Sequence, residues 1–250
     1  MKSIVLLIFL GVVLFGYDGT TFKPKGLYLD SINSRVFAKF ATSYDLEHKF
    51  IRDKIYPLGY NNRYFAYIIE HDNDPADIFS ANFVIQDLVN DRVKFIDKFK
   101  IDDIDGNYKF SRYYRIKRAL INRKLKQFGI KKHDIKFISG KLYYKKDSYR
   151  LYSKSTKRYY RDFDSNFLTS SLIYIKSAKK GSKVINKKYY KHPSYILARE
   201  PIGFLKLGNH KRAVVLVGRV TRGWEGPPHN ISYEVVGANL EVGFKWKRYF

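Results

Sequence analysis

Between residues 141 and 161 the chain reads Lys-Leu-Tyr-Tyr-Lys-Lys-Asp-Ser-Tyr-Arg-Leu-Tyr-Ser-Lys-Ser-Thr-Lys-Arg-Tyr-Tyr-Arg, a close interleaving of cations with tyrosines. Such a mixture suits an anionic polymer, because Lys and Arg neutralise its charges while Tyr faces stack on its rings. Lys145, Lys146, Arg150, Tyr152, Lys157 and Arg158 are the candidate anion-binding residues of this tract. Arg115, Arg118 and Lys124, from a basic segment upstream, join them. The same alternation also describes a hairpin that packs tyrosines on one face and solvates its cations on the other. No nucleic-acid motif accompanies it.

A second candidate is the loop Arg222-Gly223-Trp224-Glu225-Gly226-Pro227-Pro228, in which two Gly and two Pro fix a bent backbone. It would present Arg222, Trp224 and Glu225 as a ligand platform or an acid/base carboxylate. Alternatively Trp224 closes a core edge and Glu225 pairs with Arg222 or Arg219. Asp72, Asp74 and Asp77, and Asp103-Ile104-Asp105-Gly106-Asn107, resemble fragments of calcium loops. Without a distal bidentate Glu they read as turn formers. The six His residues (48, 71, 133, 192, 210 and 229) show no metal-ligand spacing, although His210 and His229 flank one strand. No phosphate loop, Ser elbow or paired-carboxylate signature is present. Neither a cofactor nor a metal is expected.

These residues need elements to hold them. Residues 111–128 predict one amphipathic, basic helix: Ile116, Leu120, Ile121, Leu125 and Phe128 keep helical spacing, Ser111 stands as N-cap and Gly129 as stop. Runs at 27–29, 36–40, 64–69 and 83–88 read as strands separated by turn residues, and 83–85 with 93–95 as a hairpin. Further hairpins are expected from 135–138, 141–144 and 149–152. The apolar run 213–217 reads as a buried strand, with 233–236 and 240–244 completing its sheet. The fold class is therefore mainly β (α+β), with antiparallel sheets, propeller-like hairpins and the helix at 111–128.

Charge is placed unevenly. Residues 17–93 carry 9 Lys/Arg against 11 Asp/Glu, residues 94–200 carry 30 against 9, and residues 201–250 carry 8 against 3. The net charge of +25 thus sits mostly in a middle segment, 94–200, with a field that attracts anions and is screened by salt. An AT-rich coding bias towards Lys, Ile, Tyr, Phe and Asn would raise Lys without any binding role. The asymmetry along the chain is harder to assign to bias.

Lys2, the apolar run 4–15 and Gly16 have the build of a cleavable signal peptide, 1–16, which is too short to span a bilayer. The mature chain would be one β-rich domain, 17–250, periplasmic or secreted, with no transmembrane helix. It has no Cys, which excludes disulfides, thiol catalysis, thiolate metal sites and lipid attachment through a thiol.

The phrase Leu58-Gly59-Tyr60-Asn61-Asn62-Arg63-Tyr64-Phe65-Ala66-Tyr67, followed by Phe83-Val84-Ile85-Gln86-Asp87-Leu88, resembles strand phrases of bacterial propeller-like blades. The run 213–217 followed by Arg222 to Pro228 resembles a family of exported bacterial "predicted secreted protein" domains of unknown function. That resemblance, from about 58 to 240, implies export and a β-rich fold but no activity, and the tract 141–161 departs from it.

The expectation is an exported, non-enzymatic envelope protein that binds anionic envelope components through residues 112–161. Partners would be an anionic lipid, a phosphorylated or acidic glycan, or an envelope protein; export argues against nucleic acid. Two alternatives remain: a periplasmic hydrolase of an envelope polymer using Glu225 and a nearby His, and a protein-interaction module of an envelope complex.

Overall fold

The computed structural model describes residues 22–48, 50–72, 78–103, 108–133, 135–223 and 226–246. Segment 1–16 therefore lies outside the described residues, as do Trp224, Glu225, Asp74, Asp77 and Asp105. Two short helices come first, α1 (Asp30–Phe37) and α2 (Ser43–His48). The strands β1 (Ile51–Arg52), β2 (Lys54–Tyr60), β3 (Tyr64–His71), β4 (Ile78–Asp87) and β5 (Arg92–Asp102) follow, and then the long helix α3 (Phe110–Gln127). Beyond it lie β6 (Lys131–Lys132), β7 (Lys136–Ile138), β8 (Leu142–Tyr144), β9 (Asp147–Tyr160), β10 (Ser165–Ser177) and β11 (Gly181–Tyr189). The last three strands are β12 (Ile196–Lys206), β13 (Arg212–Gly223) and β14 (Gly226–Asn239).

The protein is mainly β, in three sheets. A helix-backed sheet has the order β5-β4-β3-β2-β6, a central sheet β1-β14-β13-β12-β7, and a basic sheet β11-β10-β9-β8. Pairing is antiparallel throughout these strands except for the two-residue contact of β1 with β14.

Strand periodicity stacks the layers. On β13, Val214, Leu216 and Val220 meet Phe65, Tyr67, Ile69 and Val84 of the helix-backed sheet. The alternate residues Ala213, Val215 and Val217 meet Tyr149, Ile173 and Ile175 of the basic sheet. An uninterrupted apolar run is what a strand covered on both faces requires. The far face of the helix-backed sheet (Ala66, Ile68, Phe83 and Ile85) packs on Tyr113, Ile121 and Leu125 of α3. The order of layers is therefore helix, sheet, central sheet, basic sheet.

Helix α3 forms where predicted, but on a different stripe. Ile116 is 56% exposed, whereas Tyr113 and Tyr114 are buried beside Ile121 and Leu125. Tyrosines supply the apolar area, and Lys117 and Lys124 lay their stems along it, each ammonium within about 5 Å of the ring of Phe99 or Phe95. Ser111 is not the cap, since the helix starts at Phe110 without a side-chain cap. Its end is closed as the sequence suggests: Gly129 takes φ +63°, Ile130 N–H donates to Leu125, and Asn61 Nδ2 donates to the Phe128 carbonyl.

Three strand expectations are corrected. Residues 36–40 are helical, the end of α1 and a 3-10 turn, because Leu29, Ile32, Val36 and Phe37 form an i, i+3, i+4 stripe capping the first core. Residues 27–29 are irregular, and 240–244 bend instead of extending β14.

The β4–β5 turn is anchored across the first core. Asp91 sits at φ +54° and its carboxylate accepts the Gly237 N–H at 2.6 Å. Any Cβ at Gly237 would lie 2.2 Å from the Leu88 carbonyl oxygen. Burial lifts the Asp91 carboxyl to about 6, against the bonds from Gly237 and Gln86. A raised acid favours folding only while neutral, so that contribution is lost as pH climbs towards 6. Asp91→Asn keeps the acceptor and tolerates the left-handed backbone. It should therefore raise stability by about 1–2 kcal/mol at pH 7.5, discounted for partial exposure. The gain should vanish near pH 4, as urea unfolding at the two pH values would read.

Candidate anion-binding face

Residues 141–191, which form the basic sheet, carry 15 Lys/Arg against 3 Asp. Asp147, Asp162 and Asp164 all sit at strand ends, and Asp147 is buried against Ser177. Because Leu151, Ile173 and Ile175 point into the core, their neighbours in sequence point outward.

Register then sets the outward residues in rows. Arg150 pairs with Lys176, Tyr152 with Tyr174, and Lys154 with Leu172, which pairs in turn with Lys187. Arg150, Lys154, Lys176 and Lys187 are all exposed. Between the two cationic rows the ring of Tyr152, 37% exposed, stacks at 5.4 Å and 15° on that of Tyr174, which is itself buried. Tyr189, 73% exposed, stands one row beyond, paired with Ser170, with the Lys187 ammonium 4.7 Å from its ring centre. Rows two residues apart are about 7 Å apart. The face is thus cation, aromatic, cation, at the spacing of groups along a polymer. Among the described residues the edge of β9 beyond Tyr149 has no strand partner, and there Arg150 and Tyr152 border a cavity of about 350 Å³ that reaches Pro201 and Gly203 of β12.

The other predicted residues disperse. Lys145 and Lys146 form the β8–β9 turn, both at positive φ, and Lys145 pairs with Glu241 at 2.6 Å. Lys157 is exposed but lays its ammonium 4.6 Å from the Phe40 ring centre, and partial burial together with Lys39 lowers its pKa. Arg158 lies over Tyr160 and Arg222 over Phe163. Arg115, Arg118 and Lys124 are on α3, at the opposite end of the layer stack from the basic sheet. Residues 112–161 are therefore not one surface. Lys154, Lys176 and Lys187 were not singled out in the sequence, and the signal that would have found them is the alternation of 172–176 and 184–189 as paired strands.

Two buried polar clusters hold the layers beneath. Arg199, fully covered, donates to Glu234 at 2.7 and 3.0 Å and to Asn186 at 2.9 Å, while Lys188 pairs with Glu234 at 2.9 Å. Burial pushes the Glu234 carboxyl up, but Arg199 and Lys188 outweigh it and hold it below the usual range. Asp45 of α2 accepts from the His229 backbone, His229 Nδ1, and both the backbone and hydroxyl of Thr42. His210 lies at the other end of β13, on Asn62 and Tyr60, so the two histidines do not meet. Asp103 accepts the Tyr108 N–H. Among the described residues no three His, Asp or Glu gather as for a metal ion, and no helix is long and apolar enough to cross a membrane.

No protein-family model matches the chain, and no curated protein or solved structure is significantly similar to it, so the geometry of this face is what speaks for function.

Proposed function

We propose that the protein is an exported, non-enzymatic envelope component that binds an anionic, ring-bearing polymer along the outer face of the basic sheet. The observation that carries this is the pair of cationic rows flanking stacked tyrosines, on a face without carboxylates. Among the described residues Arg150, Lys154, Lys176 and Lys187 have no ion-pair partner to be lost on binding, so each contact with an anionic group releases counterions. Tyr152 and Tyr189, the exposed rings of this face, add stacking that a linear polyphosphate could not use. A phosphorylated or uronate-rich envelope glycan has both properties, and the signal-peptide character of 1–16 agrees with its location.

The test is the affinity for polygalacturonate, for a neutral glycan and for polyphosphate across 50–500 mM salt. Polygalacturonate should bind with an affinity that falls steeply as salt rises, and the neutral glycan should not bind. Reversing Arg150, Lys154 and Lys187 to Glu should weaken binding at least 30-fold at low salt, and Tyr152→Ala about tenfold. A salt-independent affinity, or one untouched by the triple reversal, would overturn the proposal.

A further inference from the structure

A second, smaller site lies on the far side of the molecule. A cavity of about 320 Å³ opens beside the first turns of α3, at the lower end of the size range for small-molecule pockets. Its walls are Phe22, Phe110 and Tyr114, and its cations are Lys23, Arg115 and Arg118. Among the described residues no carboxylate lines it, and none of these three cations has an ion-pair partner.

The walls are fixed before any ligand arrives. Phe110 stacks on Tyr56 at 3.6 Å and 3°, and the Tyr56 hydroxyl is held by Glu70 at 2.5 Å. Glu70, the nearby carboxylate, is shared between Tyr56 and Lys54, so it does not neutralise the cavity. Lys132 lies behind Phe22, its ammonium 5.4 Å from the ring centre. Arg115 and Arg118 are three apart on the helix, so they share a face and their guanidinium groups stand one turn apart. Two such forks straddle one carboxylate or phosphate, each able to donate two parallel hydrogen bonds. Unbalanced cations around a rigid apolar recess call for a ligand with both features.

We infer that this cavity binds a small anionic amphiphile, one carboxylate or phosphate group on an apolar body about the size of an aromatic ring. The site is separate from the polymer-binding face and does not depend on it.

Calorimetric titration of the full chain at 150 mM salt would test this with four probes: phenyl phosphate, dodecanoate, inorganic phosphate and benzyl alcohol. Phenyl phosphate or dodecanoate should bind at one site, at least tenfold tighter than inorganic phosphate or benzyl alcohol. Which of the two binds tighter separates a ring-bearing phosphate from a fatty carboxylate. The double variant Arg115→Gln/Arg118→Gln should weaken that binding at least tenfold, with the thermal midpoint and the polygalacturonate affinity unchanged. Phe22→Ala should weaken it while leaving the salt dependence intact. No binding of either amphiphile, equal binding of inorganic phosphate or benzyl alcohol, or an unchanged affinity in the double variant would each overturn the inference.

Discussion

Arg199→Met should lower stability by about 3–5 kcal/mol and move the urea midpoint down by about 1–2 M. Arg199 lies wholly inside, between the central and basic sheets, and directs three hydrogen bonds to Glu234 and Asn186. Taking it away leaves Glu234 covered, with only the half-exposed Lys188 to answer its charge. The cost is that of an abandoned buried carboxylate rather than the net worth of the pair. The double variant Arg199→Met/Glu234→Leu should therefore recover most of the loss. Equal instability of the single and double variants would show that packing, not charge, sets the effect. Acid should destabilise the wild type through the same group. The Glu234 carboxyl lies below its ordinary value, so its contribution is complete above that value and is lost as pH falls through the folded one.

Asp45→Ala should cost about 2–4 kcal/mol at pH 7. One carboxylate gathers four donors there: two from His229 and two from Thr42. It thereby ties α2 to the start of β14. Burial raises the Asp45 carboxyl, but the hydrogen bonds from His229 and Thr42 outweigh it and leave it below the ordinary 3.8. The stability it contributes is thus complete above pH 4 and disappears as pH drops through the lower, folded value. Melting both proteins at pH 7 and pH 3 should show a gap that narrows in acid. A gap constant with pH would mean that the carboxylate's charge has no part in the effect.

Local signals in the sequence were legible where one residue type dominates a period. The run 213–217, the helix at 111–128 with Gly129 behind it, and the hairpin joining 83–85 to 93–95 all appear at their expected places. Residues 36–40 were misread because β-branched and aromatic types outweighed a helical spacing that begins at Leu29, seven residues before Val36. The strands from 165 to 189 escaped notice because many of their positions are Lys, Ser and Tyr, which look like loop. For the binding face, Arg150 and Tyr152 could be found in a single tract. Their partners Lys176 and Lys187 could not, since register and the bulge at Ile173/Tyr174 decide which residues become neighbours. The Arg199–Glu234 pair spans 35 positions and leaves no local trace.

The order of the layers differs from the order of the chain, and this bears on how the protein comes together in time. Residues 54–132 hold the whole helix-backed sheet and its helix, and 142–189 hold the whole basic sheet. The three main strands of the layer between them arrive last, at 196–239. Until then Phe65, Tyr67 and Ile69 on one side, and Ile173 and Ile175 on the other, face water with nothing to cover them. Even β1, at residues 51–52, waits for its partner at 230–231. Contacts of such long range make assembly slow. A chain emerging from N to C therefore carries one unfinished, adhesive half once residue 132 is out and a second once residue 189 is out, and residues 196–239 decide whether they close on each other or on a neighbour.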